Sequence, residues 1–380
     1  METPFIFGRL AEGDLFTDRE EETLQLINNF RTSSNTILIS PRRWGKSSLV
    51  HKAALATTQR EKNIRFCFID LYNVRNEQQF YQLLAKEVLR SLSGKWEDLM
   101  ENARAFLGRL IPNLTFRPDA QGEFDLSLNW KEVARSADEI LDLAEKLAAR
   151  KKVKIIICID EFQNIKTFDH PLAFQKTLRS HWQKHQRASY CLYGSKRNMM
   201  MEVFSSPDMP FYKFGNLLFL QKIKTEDWVS FLIKRFKTTK KKLNADQAAR
   251  ITQLAECHPY YVQQLAQQAW LRTDKNCSDQ IIEVACEGVV LQLSLLFQNV
   301  TDNLTAAQIN FLEALLNGVT QFSARQVLHD YKLGTSANIL RIKDALVNKE
   351  VIDLTESKIE FLDPLYKLWL IRYYFKSSDN

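Results

Sequence analysis

Ser40-Pro41-Arg42-Arg43-Trp44-Gly45-Lys46-Ser47-Ser48 follows the apolar run Thr36-Ile37-Leu38-Ile39 and leads into a helical pattern over 47–58. Apolar strand, tight turn, Gly-Lys-Ser and helix form the arrangement of a phosphate-holding loop. Backbone N–H groups at a helix N-terminus cradle phosphate oxygens there. All nine residues from Ser40 to Ser48 are candidate phosphate-binding residues. Lys46 would reach the β- and γ-phosphates of a nucleotide, and the Ser47 hydroxyl would ligate Mg²⁺. The motif asks for glycine where this chain has Ser40.

A second signal lies about 110 residues downstream. Ile155-Ile156-Ile157-Cys158-Ile159 ends in Asp160-Glu161, which places two carboxylates at the C-terminal mouth of a buried strand. Ligands bind at that end of open parallel sheets. Asp160 is the candidate that holds Mg²⁺ through water, and Glu161 the candidate base that orients or deprotonates the attacking water. This strand is expected beside the strand that feeds the loop. A third segment, 189–194, closes on Gly194-Ser195. Ser195 is the candidate that senses a γ-phosphate or positions water, and a turn serine bonded to its own backbone is the plainer reading.

Five strand-like runs, at 36–40, 64–71, 153–160, 189–194 and 217–220, alternate with helical patterns at 20–30, 47–58, 78–92, 131–150 and 172–185. That alternation implies an α/β fold with a parallel sheet covered on both faces. The stretch 93–129 interrupts it and reads as an insertion carrying a β-hairpin around Phe124-Asp125-Leu126-Ser127-Leu128. After Leu220 the strands stop. Amphipathic patterns at 225–237, 245–257, 259–273 and 278–298 predict a helical domain, with Asn244 and Ser278 as N-caps. Helices at 305–316, 323–331 and 335–348, then short strands at 351–355 and 358–361, follow the order of a winged helix-turn-helix. A last apolar-aromatic helix covers 365–375. The predicted domains are 1–222, 223–300 and 301–380.

The 380 residues are 45% hydrophobic and 26% charged, ordinary for a globular protein rather than a fibrous or disordered one. A net charge of +7 permits nucleic-acid contact without demanding it. Met1-Glu2-Thr3-Pro4 carries neither a basic nor a long apolar stretch, so the expectation is a cytoplasmic protein without a membrane partner. Cys67, Cys158 and Cys191 sit in strand-like runs as small buried hydrophobes, and no Cys-x-x-Cys spacing suggests a metal. His181 and His185 are spaced to share a helix face, but no carboxylate completes a site of the His-Glu-x-x-His type, so a surface helix face is expected.

Phe16-Thr17-Asp18-Arg19-Glu20, the Pro-Arg-Arg-x-Gly-Lys-Ser string, Ile159-Asp160-Glu161-Phe162-Gln163, Tyr193-Gly194-Ser195, Pro210-Phe211-Tyr212, His258-Pro259-Tyr260-Tyr261 and Phe361-Leu362-Asp363-Pro364-Leu365 occur in that order. Together they resemble the prokaryotic AAA+-related P-loop ATPases of the STAND class, in the branch known as an archaeal and bacterial ATPase domain. The resemblance implies an ATP- and Mg²⁺-dependent core, a helical lid, a C-terminal winged helix and a nucleotide-controlled switch. It places Phe16 and Arg19 near adenine and ribose, and His258-Pro259 at a lid helix that touches the nucleotide. A helix start opened by Pro259 with His258 as a plain cap is the alternative. Ser40 is frequent in that branch. Relatives often carry Arg where this chain has Lys213, and lysine lacks the two-pronged fork of arginine. An arginine finger is then left open between Arg179, Arg197 and the Lys213 position, and slow or partner-stimulated hydrolysis is expected.

Three functions are compatible with these residues. The first is an ATP-hydrolysing switch that controls a protein partner or its own assembly into a homo-oligomer. The second is a DNA-binding ATPase of the initiator or transposition-regulator kind, with 335–349 as recognition helix and Ser336, Asn338, Arg341 and Lys343 facing DNA. The third is a scaffold that holds ATP or ADP without hydrolysing it.

Overall fold

A computed structural model describes residues 3–11, 13–93, 101, 115–118, 124–127, 137–354 and 358–375. They form two compact units: Asp18–Gln221, and Met1–Thr17 with Lys222–Asn380.

The first unit is built on five parallel strands, β1 Thr36–Ile39, β2 Ile64–Asp70, β5 Lys154–Asp160, β6 Ala188–Gly194 and β7 Asn216–Phe219, in the order β2-β5-β6-β1-β7. Each falls within one or two residues of its predicted run. β1 and β6 are buried along their whole length, as is β5 from Ile155 to Ile159. Complete burial of consecutive residues requires cover on both faces, because successive side chains point to opposite sides. Each of those isoleucines contributes about 1.5–3 kcal/mol of transfer free energy. The cover includes α1 Glu20–Arg31, α2 Lys46–Arg60, α3 Glu77–Leu92 and α6 Pro171–Trp182.

The predicted helix at 131–150 is described as two pieces, α4 Ala137–Leu141 and α5 Leu143–Lys151, and its residues 131–136 fall outside the described set. Of the insertion, β3 Thr115–Pro118 and β4 Phe124–Ser127 pair antiparallel as the expected hairpin, and most of the rest lies outside the described residues. One helix, α7 Arg197–Ser205, has no counterpart in the predicted pattern.

The inner strand ends are tied together by Asn35. Its side chain accepts the Tyr190 N–H at 2.9 Å and donates to the Phe214 carbonyl at 3.3 Å, and its own carbonyl accepts the Asn216 N–H at 2.8 Å. Gly215 is needed there, since a Cβ would lie 2.4 Å from the Asn35 oxygen. The register that follows sets Ile39 level with Gly194, and Asp70 level with Asp160. All the functional tips therefore open on the same sheet edge.

The carboxylate missing beside His181 and His185 comes from another helix pair. Asp142, in the break between α4 and α5, faces His181 Nδ1 at 2.8 Å and His185 Nε2 at 3.2 Å through the same oxygen. His185 Nδ1 meets the Tyr190 hydroxyl at 2.8 Å. Among the described residues no group of three or more such side chains is arranged to hold a metal. Burial pulls the Asp142 pKa up, but the hydrogen bonds and charges of the two histidines outweigh it and hold it below the usual aspartate value. A depressed carboxylate stabilises the fold above its unfolded pKa of about 3.9 and loses that contribution as pH falls through the folded value. Asp142→Asn is expected to lower the melting temperature by about 2–4 °C near pH 6, from about 1 kcal/mol. The gap to the parent protein should narrow progressively as pH falls below about 3.9 in a thermal melt.

In the second unit, α8 Thr225–Thr238, α9 Ala245–Leu254, α10 Pro259–Arg272 and α11 Asp279–Asp302 match the four predicted helices. Asn244 and Ser278 are N-caps as expected: Asn244 forms a capping box with Gln247, and the Ser278 side chain accepts the Ile281 N–H. By length and apolar content alone α11 could cross a membrane, yet it packs Ile282, Ala285, Val289, Val290 and Phe297 into the unit's core. Next come α12 Ala306–Leu316, α13 Arg325–Asp330 and α14 Ser336–Asn348, then the antiparallel pair β8 Ile352–Leu354 and β9 Ile359–Phe361. The final helix, α15 Pro364–Trp369, is capped by Asp363 and runs into a π-helical turn, Leu370–Tyr374.

Candidate functional site

The loop between β1 and α2 turns through two left-handed residues, Arg43 at φ 63° and Gly45 at φ 86°. Gly45 caps α2, and side-chain-bearing residues rarely adopt its φ. Ser40 has no positive φ. It is buried, its N–H donates to the Gly194 carbonyl at 3.5 Å, and its hydroxyl donates to the Pro41 carbonyl at 3.1 Å. A glycine is not required at position 40, because the backbone there is conformationally ordinary.

Lys46 begins α2 and points across the sheet edge. Its Nζ lies 2.9 Å from Glu161 Oε1 and 3.1 Å from Asp160 Oδ1. The Ser47 hydroxyl donates to Asp160 Oδ2 at 2.6 Å. On the other side of Glu161, Oε2 accepts from Ser195 Oγ at 2.9 Å and from Gln163 Nε2 at 2.5 Å. The Lys46, Asp160 and Glu161 side chains are 12%, 17% and 13% exposed, so they are shielded but reachable.

The expectation that the Asp-Glu strand neighbours the loop strand is corrected by the sheet order. β6 runs between β5 and β1. That insertion is what carries Ser195 to Glu161, since Ser195 is the residue just past the end of β6.

Burial alone would lower the Lys46 pKa, but the charges of Asp160 and Glu161 and their hydrogen bonds outweigh it and raise the value. Burial alone would raise Glu161; the Lys46 charge, with hydrogen bonds from Lys46, Gln163 and Ser195, holds it below the usual glutamate value. At neutral pH the site thus holds an ammonium against an ionised carboxylate. Asp70, level with Asp160 at the end of β2, was not singled out by the sequence patterns. Burial raises its pKa; the Tyr72 N–H bond opposes this, the Asp160 and Glu161 charges add to it, and Lys46 works against it.

Gln163 is the other residue the sequence patterns left without a role. Glu161 takes a left-handed φ of 51°, which ends β5 and sends the chain into the 3-10 turn Phe162–Thr167. That turn folds residue 163 back onto Glu161. Gly194 follows from it, because a Cβ there would fall 1.9 Å from Gln163 Oε1 and 2.8 Å from Met200 Sδ. Gly194→Ala is expected to cost about 1–3 kcal/mol by overpacking. A thermal melt should fall by about 2–12 °C for a unit of this size.

Arg19, also predicted for the site, caps α1 at φ 70°, is 3% exposed and donates to Glu22 Oε1 at 2.9 Å. Its Nη2 is buried without a hydrogen-bond partner. Phe16, His258 and Pro259 belong to the second unit. There His258 caps α10 ahead of Pro259, with its ring 5.0 Å from that of Tyr261. The three finger candidates all lie in the first unit. The Arg179 guanidinium stacks 4.8 Å from Phe214 and that of Arg197 lies 5.7 Å from Phe219, while Lys213 takes φ 53° with its Nζ 5.3 Å from Tyr212. On the candidate recognition helix, Asn338 is spent on the Leu333 carbonyl and Lys343 lies over the Phe322 ring, while Ser336 and Arg341 are exposed.

The donor set suits a magnesium-bound nucleotide. A hydroxyl and a carboxylate oxygen in contact are hard ligands, and magnesium typically takes only one or two carboxylates and completes its shell from phosphate and water. Lys46 adds the ammonium that meets phosphate as a point charge.

A glycine-turned loop, a lysine at the helix start and an Asp-Glu pair at the mouth of a parallel sheet define a P-loop ATPase. Residues 16–265 match the family described as "ATPase domain predominantly from Archaea", and the chain belongs to that family. No curated protein sequence matches it significantly. Among solved structures, the Walker-type ATPase PABY2304 of Pyrococcus abyssi is similar over 97% of this chain and 100% of its own, with a TM-score of 0.66 at 17% identity. The ORC2 protein of Aeropyrum pernix, in complexes with ADPNP and ADP, covers 99% and 98% with a TM-score of 0.57 at 13% identity. The ORC1 protein of the same organism, in complex with DNA, covers 97% and 96% with a TM-score of 0.50 at 11% identity.

Proposed function

We propose that this chain is a Mg²⁺-dependent ATP-hydrolysing switch of the STAND/AAA+ type, in which nucleotide state drives domain rearrangement and controls a protein partner or self-assembly in the cytoplasm. The observation that carries the reading is the contact of Lys46 and Ser47 with Asp160 and Glu161 at one strand tip. The loop amides would receive the phosphates of ATP, and the Ser47 hydroxyl and the Asp160 carboxylate would hold Mg²⁺. The metal, when bound, neutralises charge on the phosphate oxygens. Lys46 adds its ammonium to the same oxygens. Glu161, ionised and pinned by Ser195 and Gln163, orients a water and takes its proton. Ser195 would report the γ-phosphate to Glu161 through their shared hydrogen bond.

On this reading the first unit is the ATPase core. Helices α8 to α11 form a lid, whose third helix opens with His258 and Pro259. Helices α12 to α14 with β8 and β9 form a winged helix, since three helices precede a two-stranded hairpin. Phosphate release from ATP, measured with Mg²⁺ and again with chelator, tests the reading. A metal-dependent, saturable rate is expected. Absence of any rate, alone or with partner-containing extract, would leave the non-hydrolysing scaffold.

The DNA-binding alternative rests on exposed Arg341 and Ser336 on α14, together with the similarity to the DNA-bound ORC1 structure. It requires duplex binding that weakens with salt. Arg341→Glu should then lower affinity about tenfold, from loss of one phosphate contact and addition of a repulsive charge. No retardation of duplex at low salt would end it.

A further inference from the structure

Gln163 is fully buried, yet its amide is used only on one side. Nε2 donates to Glu161 Oε2, while Oε1 is a buried acceptor with no hydrogen-bond partner, pressed against Gly194. The orientation of the amide is dictated by chemistry: turned over, its oxygen would face a carboxylate oxygen. A buried polar atom without a partner destabilises the fold. A methionine of the same length would fill this space without that cost, so folding alone does not call for glutamine here.

What the amide does supply is a second donor to the Glu161 oxygen that faces away from Lys46. Ser195 is the first, and it rides on the tip of β6. Gln163 rides on the turn that directly continues β5, the strand bearing Glu161 itself. Ser195 therefore can part from Glu161 if the strands shift, whereas Gln163 travels with it. Gly194 makes room for the amide, which links the two tips sterically as well.

We propose that Gln163 is a positioning residue that holds the Glu161 carboxylate in its working orientation, independently of Ser195. The inference rests on the ATPase reading above, with Glu161 as the base. It assigns Gln163 no contact with nucleotide. A carboxylate held by two donors rather than three samples more rotamers, and a misplaced base costs rate rather than affinity.

The test uses the full chain with Gln163→Met, which keeps the length of the side chain, and Gln163→Asn, which keeps an amide one methylene too short. Steady-state ATP hydrolysis is expected to show kcat down 10- to 100-fold in both, the effect of losing one charge-assisted hydrogen bond. KM for ATP should change less than about threefold, and the melting temperature of the methionine variant should stay level or rise. A structural residue would instead move the melt and leave kcat of the folded fraction intact. If the parent protein turns over and Gln163→Met retains kcat within threefold, the inference is overturned while the ATPase reading stands. If the parent protein does not hydrolyse ATP, that reading fails, and a double-mutant cycle with Glu161→Gln in urea unfolding decides the contact. Coupling of fivefold or more in the unfolding constant supports it, and additivity overturns it.

Discussion

Lys46→Ala is expected to weaken ATP binding about 100-fold or more, measured by titration of a fluorescent nucleotide in the presence of Mg²⁺. That corresponds to about 2.8 kcal/mol at about 1.4 kcal/mol per tenfold. Two effects add. The ammonium that meets the phosphates is removed, and a charged hydrogen bond of this kind is worth about 1.5–3 kcal/mol. Asp160 and Glu161 also lose the cation that lies 3.1 and 2.9 Å from their oxygens. With Asp70 level with Asp160, the strand tips then present uncompensated negative charge to an anionic ligand. Lys46→Arg separates the two effects. It keeps the charge but carries a bulkier planar head, so it should recover part of the affinity and little of the turnover. Undiminished affinity in Lys46→Ala would sink the whole nucleotide reading, because no alternative arrangement of the site leaves Lys46 without a role.

Much of this site is legible in the sequence for a simple physical reason. Buried parallel strands need continuous apolar runs, and their ends are marked by the first polar residue. Ile155-Ile156-Ile157-Cys158-Ile159 followed by Asp160 marks such an end, and Ser189 to Gly194 followed by Ser195 marks another. Strand order is not marked in that way. The runs of β5 and β6 read the same whether or not they are neighbours of β1, and the placement of β6 in the gap is settled by crossovers and by anchors such as Asn35. The same limit applies to Asp142, whose partners His181 and His185 are 39 and 43 residues away. Gln163 is hidden for a different reason. It sits two residues after Glu161, and only the left-handed turn at Glu161 brings it back to the carboxylate. A non-glycine residue in that conformation is uncommon and has no signature in the sequence. Ser40 shows the converse. The sequence motif flags it as a departure, but the positive φ values belong to Arg43 and Gly45 instead.

Glu161→Gln should reduce turnover about 100- to 10,000-fold, the usual contribution of a positioned base, while ATP affinity stays within about threefold of the parent or tightens. The substitution keeps shape and removes both charge and proton affinity. Its amide must place an NH₂ group somewhere, and each choice has a consequence. Toward Lys46 it would set a donor against an ammonium now 2.9 Å from Oε1. Toward Oε2 it would meet the donors of Ser195 and Gln163. The Ser195 hydroxyl can rotate to accept and the Gln163 amide can turn over to present its oxygen, so the second arrangement is expected. Lys46 then keeps a neutral carbonyl in place of a carboxylate, and its attraction to Glu161 no longer competes with phosphate. Tighter or equal binding with lost turnover is therefore the specific signature of a base at this position. A parallel loss of affinity and rate would mean that Glu161 serves to hold the nucleotide, and retained turnover would move the base to another residue. Size-exclusion with light scattering on this ATP-loaded variant carries the switch reading further, since a nucleotide-dependent change in mass should persist when hydrolysis cannot reverse it.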